Sequence, residues 1–359
     1  MKRSLQLDFL RFLGVILVVV HHVPFSDKSS FGKFISVVQT GGWVGVDLFF
    51  VLSGYLIAGL MIKEYKANQS FNLRLFLIRR GFKIYPAYYF FITYQFFYRA
   101  FFTDYPQRLN RFFHEVFFIA NYQKNNNGHL WSISVEEHFY VLLAIAFVFM
   151  IKYKKVTIKT VFIFYLTLLV IGLVCRTYNF ITYPTYDFDR DYTRSHIRFD
   201  AMFFGVLLAF LTSYRKDFIT KLVRHKYRLF FLLGCVSFIA TNFIYGRYEN
   251  RIISVVNLAV NPICFGYIMI FLVNYNQPKF LKLIKPLSFI GVYSYSIYLF
   301  HMHFLMLSLT LFKPASFGFY AGYISFAMIG GILVSKCIEY PFLKIREKYF
   351  PSGYRQKVI

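Results

Sequence analysis

The chain has 359 residues, of which 57% are hydrophobic, 22% aromatic and only 16% charged. That balance excludes an ordinary soluble domain or a disordered chain and fits a protein whose outer surface meets lipid. The formal charge of +25 would suit nucleic acid. Basic residues of a polytopic membrane protein, however, gather in cytoplasmic loops, so their distribution decides, and no nucleic-acid partner is expected.

Apolar runs able to span a bilayer lie at about 7–24, 42–62, 84–102, 132–151, 160–175, 198–213, 229–245, 254–273, 287–307 and 317–338. They predict an all-α membrane protein, a polytopic bundle of about ten transmembrane helices forming one domain over residues 1–359. With a cytoplasmic N-terminus, 27 Lys and Arg fall on the inner side against 13 on the outer. That bias favours both termini inside and a multi-pass protein of the cell's inner or plasma membrane. The apolar patch Phe112–Ala120 is too short to span and reads as a re-entrant or interfacial helix. Lys2 and Arg3 before an apolar run imitate a signal peptide, but Arg11 interrupts the run and no small-residue cleavage site follows His22, so a retained helix is expected. Cys175, Cys235, Cys264 and Cys337 all sit in apolar runs, which indicates neither a disulfide framework nor a metal site.

The first run carries Arg11, His21 and His22, ionisable residues that are costly in a bilayer and commonly functional there. Arg11 and His22 lie about 16 Å apart along a helix and on roughly the same side, so one face offers a fixed cation at one depth and a titratable imidazole at another. The plainer reading is a snorkelling Arg with interfacial histidines. In the second run, Asp47 is placed near the outer face, with Ser53 and Gly54 midway, where small residues admit a ligand or a neighbouring helix. Helix packing is the plainer reading of Gly45 and Gly54. Arg79, Arg80 and Lys83 crowd the inner start of the third run; they are either topology determinants or a phosphate-binding cluster.

The fourth run opens with Trp131, Ser132 and Ser134, followed by Glu136 and Glu137. Adjacent residues point about 100° apart on a helix, so only one of the two carboxylates is expected to face His22. The ninth run brings His301 and His303 to the same outer half. The charged loop at 176–197 reads first as a solvated loop.

An ordered series carries a resemblance: Leu7-Asp8-Phe9-Leu10-Arg11 with His22, Gly45 to Gly54, Arg79-Arg80 with Lys83 and Tyr85-Pro86, Trp131 to Glu137, Arg198-Phe199-Asp200, Tyr298 to His301, and Ile338-Glu339-Tyr340-Pro341. Over essentially the whole chain this resembles the integral-membrane acyltransferase 3 family, whose members O-acylate, most often O-acetylate, cell-surface carbohydrates. The resemblance implies His22 as the acid-base centre and Arg79-Arg80 in acyl-CoA handling. His138, where the family often has Gln, and Lys83, where Arg is common, depart from the pattern without removing a required group. No hydrolase-like domain is expected after the tenth run, so the chain looks like the stand-alone form.

The expected function is transfer of an acyl group, acetyl by preference, from cytoplasmic acyl-CoA to a hydroxyl of a surface or lipid-linked carbohydrate. O-antigen, capsule and exopolysaccharide all fit as acceptors. Arg11, Arg79, Arg80 and Lys83 would hold the donor. His22 would act as base or covalent acyl carrier, oriented by Glu136 or Glu137 and with His301 assisting. Asp47, Ser53, Trp131 and Ser134 would line the cavity, and no metal is required. The competing readings are a proton-coupled transporter or channel, an acyl-CoA-binding regulator, and an acyltransferase acting on a macrolide or other small molecule.

Overall fold

The computed structural model describes residues 4–24, 30–102, 108–245, 251–314 and 316–352. Its α-helices are α1 Leu5–His21, α2 Ser30–Gly41, α3 Val44–Asn68, α4 Leu73–Phe102, α5 Leu109–Val116, α6 Trp131–Lys152, α7 Ile158–Thr182, α8 Phe199–Tyr214, α9 Lys216–Arg224, α10 Arg228–Ile244, α11 Arg251–Val273, α12 Pro278–Gly291, α13 Ser294–Leu311, α14 Phe317–Val334 and α15 Tyr340–Tyr349. Caps explain several starts: the Ser4 and Thr157 hydroxyls accept from the backbone N–H three residues on, as does Ser316, and Pro278 occupies the first turn of α12.

All ten apolar runs are helical. Among the described residues, five helices are long and apolar enough to cross a membrane alone, or seven if the bent pairs α9–α10 (84°) and α12–α13 (61°) each count as one span. The chain is a polytopic, all-helical membrane protein. Outward faces carry Val174, Phe230 and Leu233, large apolar side chains suited to lipid. The run 287–307 is not one straight helix, because the chain turns at Val292 and Tyr293 between α12 and α13. Helices α2 and α9, within segments expected to be loops, lie against α10. Within the apolar patch 112–120 the α-helix α5 extends only to Val116, and Phe118, two residues beyond its end, has a positive φ of 55°.

Hydrogen bonds sort the helix ends into two faces. On one face Ser288 donates to the Leu5 carbonyl at 2.8 Å, Lys66 to the Ser213 carbonyl at 2.7 Å, and Arg79 to Glu347 at 2.9 Å. On the other, Arg99 donates to the Asn126 carbonyl at 2.7 Å, Asn121 to Ser195 at 2.8 Å, and Arg251 to the Asn179 carbonyl at 3.1 Å. The helix ends named here thus alternate between two faces along the chain. Lys2, Arg3, Lys28, Arg247, Arg355 and Lys357, which entered the charge count, lie outside the described residues.

Close approach sets the centre of the bundle. A Cβ on Gly54 would collide with the Met202 carbonyl, and one on Gly205 with the Val51 carbonyl, so α3 and α8 cross backbone to backbone. Two buried ion pairs pin the same region: Arg198 with Asp47, and Arg176 with Asp200 at 2.7 Å. Buried charges persist only when paired, and Asp47 also accepts from Asn261 at 3.2 Å.

Candidate active site

Helix α1 contributes Arg11, α3 Ser53, α4 Arg80 and Lys83, and α6 Glu136 to the lining of a cavity of about 160 Å³. Through shared walls at Arg11, Phe49, Ser53 and Arg80 it meets a second space of about 340 Å³. That space runs toward Ser4, Gly59 and Ser213, at the face where the start of α1 and the end of α8 meet. Arg11 donates to Asp8 at 3.0 Å. Lys83 pairs with Glu339, whose other oxygen accepts from Ser296 at 3.0 Å and Ser335 at 3.2 Å. Glu136 accepts from Ser53 at 3.0 Å and from Tyr140 at 2.7 Å. The Arg80 guanidinium lies 4.3 Å over the Tyr140 ring, and its Nε is buried with no hydrogen-bond partner among the described residues.

Beyond this cavity sits a cluster of imidazoles. His22 follows the last residue of α1, and its Nδ1 is 2.8 Å from the Val18 carbonyl. A carbonyl can only accept, so Nδ1 carries a proton, and in the neutral ring Nε2 keeps the lone pair. The same logic applies to His301, whose Nδ1 donates to the Tyr298 carbonyl and whose buried Nε2 has no partner among the described residues. His129 donates from Nε2 to the Leu299 carbonyl at 3.0 Å. The His301 ring lies 4.9 Å from that of His22 and 5.0 Å from that of His129.

A space of about 30 Å³ opens beside His21, His22, His129 and Trp131. Tyr298 and Val46 line both this space and the cationic cavity. The Tyr298 hydroxyl is fixed between Ser132, 2.5 Å away, and the His129 carbonyl, to which it donates at 2.7 Å. Outside the spans, Glu115 on α5 accepts from the backbone N–H groups of Asn126 at 2.8 Å and Asn127 at 2.6 Å, holding the turn that leads into His129. Burial nevertheless pushes its carboxyl up to about 7.

Arg11, Ser53, Arg80, Lys83 and Glu136 therefore converge in one cavity, and His22 lines the next, with the buried His301 ring packed against it rather than on the chamber wall. The remaining candidates lie elsewhere. Arg79 turns away to Glu347 and the Phe350 carbonyl. Asp47 is fully buried against Arg198 and is absent from the cavity walls. Trp131 lines the imidazole chamber instead and packs on Phe50 and Tyr192. Ser134 turns back to the Leu130 carbonyl at 3.4 Å within its own helix. His303 bonds Tyr94 at 3.1 Å.

The expectation that a carboxylate orients His22 is corrected, since neither Glu136 nor Glu137 hydrogen-bonds it. Glu136 lies five residues into α6, about 7.5 Å below the outer end of that helix, and points to the cationic cavity. Glu137 accepts from Tyr85 at 3.1 Å on another side. His129 was missed because nothing in the spacing around a single histidine in a loop distinguishes it. Only the contact between α13 and the turn before α6 places it beside His301.

Fold and site define a polytopic membrane protein with a basic cavity and an imidazole cluster inside one helical bundle. The chain belongs to the acyltransferase 3 family, with residues 4–336 matching its acyltransferase domain. It is 29% identical over 324 residues to the peptidoglycan O-acetyltransferase OatA of Listeria monocytogenes, covering 82% of this chain and 48% of that protein. It is likewise 29% identical over 321 residues to the O-acetyltransferase OatA of Staphylococcus aureus, covering 82% of this chain and 49% of that one. The chain thus spans about half the length of these curated relatives. No solved structure matches it significantly.

Proposed function

We propose that residues 1–359 form one acyltransferase domain in the plasma or inner membrane, with the start of α1 and the end of α15 on the cytoplasmic side. There it transfers an acetyl group from acetyl-CoA to a hydroxyl of a cell-surface carbohydrate. The observation that carries the reading is the succession of basic cavity, Tyr298 partition and imidazole chamber through one bundle. Acetyl as the group, and peptidoglycan as the best-supported acceptor among surface glycans, follow from what the names of the relatives say of them.

In this mechanism the donor's phosphates rest against Arg80 and Arg11, and its thin pantetheine arm runs toward Tyr298. His22 Nε2 takes the proton of the acceptor hydroxyl as that oxygen attacks the thioester carbonyl. The C–S bond then breaks, and the imidazolium returns the proton to the leaving thiolate, so the ester and free thiol are the products. His301 Nε2, the unsatisfied nitrogen beside His22, receives the acceptor hydroxyl or shares the proton. Glu136 holds the charge balance of the cavity between Arg80 and Arg11, a role distinct from orienting the imidazole.

The deciding experiment uses purified protein in nanodiscs with labelled acetyl-CoA and peptidoglycan fragments, read by mass spectrometry of both products. Free CoA with acetylated sugar in equal amounts is expected. Proton or solute flux without acetyl transfer would replace this reading with transport.

A further inference from the structure

The charged loop between α7 and α8 reads in the sequence as solvent-facing, and the mechanism above leaves it unused. In the structure its charges turn on one another. Arg190 grips Asp191 with two prongs, Nε to Oδ1 at 2.8 Å and Nη2 to Oδ2 at 2.7 Å, and also donates to the Thr185 carbonyl at 2.6 Å. The Asp187 carboxylate accepts from the Arg190 backbone N–H at 2.7 Å, and the Asp187 N–H donates to Asp191 at 2.9 Å. Thr193 donates to the Asn121 carbonyl at 3.1 Å and the Asn121 amide to Ser195 at 2.8 Å, which ties the loop to the turn leading into His129. Charge-assisted bonds of this kind hold a loop, and whatever it carries, in one place.

The side chain at the centre of this brace is Phe188. It lines the imidazole chamber together with Trp131 and Tyr192, stacks on Tyr192 at 5.4 Å and 27°, and meets Trp131 edge to face at 6.2 Å. Trp131 is 5% exposed and Tyr192 2%, whereas Phe188 is half-buried, so it carries the aromatic wall of the chamber out to the surface. The chamber itself, at about 30 Å³, has room for little more than a water molecule or two. A reacting hydroxyl fits there beside His22, but the ring that bears it stays at the mouth.

We propose that Phe188 is the platform on which the acceptor's sugar ring stacks, and that it determines acceptor specificity. The proposal rests on the acetyl-transfer reading above. A sugar ring has one face made of C–H groups and a rim of hydroxyls. The C–H face covers the apolar surface of Phe188 and meets the negative face of its π-system, while a rim hydroxyl points inward to the imidazoles. Water and simple alcohols have no such face, so the platform favours a glycan over them.

The test uses full-length protein in nanodiscs and compares wild type with Phe188→Leu, which stays apolar but cannot stack, and Phe188→Trp, which can. Transfer to peptidoglycan fragments, hydrolysis of acetyl-CoA in their absence, calorimetric binding of acetyl-CoA and the melting temperature are measured on each. Phe188→Leu should raise KM for the fragments about five- to tenfold with kcat within about twofold, and leave hydrolysis and acetyl-CoA affinity unchanged. Phe188→Trp should keep a KM near that of wild type. An unchanged KM in Phe188→Leu, or an equal rise in a Phe188→Trp protein that melts like wild type, overturns the platform while leaving the acetyl-transfer reading standing. Faster hydrolysis at unchanged KM assigns Phe188 to the exclusion of water and also overturns it. Failure of wild type to acetylate any fragment overturns the peptidoglycan reading and this proposal together.

Discussion

The imidazoles of His22 and His301 meet edge to face at 4.9 Å, each with Nδ1 bonded to a backbone carbonyl of its own helix. Both rings are thereby locked in the tautomer that leaves Nε2 as the basic nitrogen. A general base contributes about 10²- to 10⁴-fold to rate, so His22→Ala should reduce acetyl transfer to background while acetyl-CoA binding survives. His21 is the control: its Nδ1 bonds the Gln39 carbonyl, and His21→Ala should retain more activity. Initial rates on well-folded variants decide this, and substantial turnover by His22→Ala would move the catalytic role to His301.

Glu136 and Glu137 are adjacent but unequal. Glu136 lines the basic cavity while Glu137 is engaged by Tyr85, so Glu136→Gln should cost at least about tenfold in kcat/KM and Glu137→Gln much less. The reverse order would place the functional carboxylate on the Tyr85 side.

Gly54 and Gly205 face each other's helices with no room for a methyl group, and the atoms in the way are backbone carbonyls that cannot rotate aside. Gly54→Ala and Gly205→Ala should each destabilise by about 1–3 kcal/mol, seen as a lowered melting temperature in detergent. Gly59→Ala, where nothing lies within reach of the added atom, should melt like wild type.

Glu115 gives a pH dependence with a defined sign. Its carboxyl is raised from 4.5 to about 7 in the folded protein. A raised carboxylate favours the fold below the unfolded value, and that contribution is lost as pH climbs through the window from about 4.5 to about 7. The loss is on the order of 3 kcal/mol, and Glu115→Gln should flatten this part of the stability profile. An unchanged pH slope in the variant would show that another group sets it.

Local composition makes the helices legible. Ten apolar runs became helices because a bilayer leaves the backbone no other partner than itself, and each run states its own length. The bend between α12 and α13 escaped this reading, since it comes from a turn at Val292 and Tyr293 inside a run that stays apolar throughout.

The candidate site divides along the same line. Sequence alone determined that Arg11, Arg80, Lys83 and His22 are charged or titratable groups in or beside largely apolar runs, because such residues are conspicuous where apolar ones cost less. Which partners they meet was decided by tertiary structure. Asp47 and Glu136 are both acidic residues near the starts of apolar helices, yet one is neutralised by Arg198 and the other faces the cavity. His129 acquires meaning only from a helix distant in the chain. Helical spacing fixes depth and direction along one segment, but the rotation of one helix against another depends on packing such as the Gly54–Gly205 crossing, which no single segment contains.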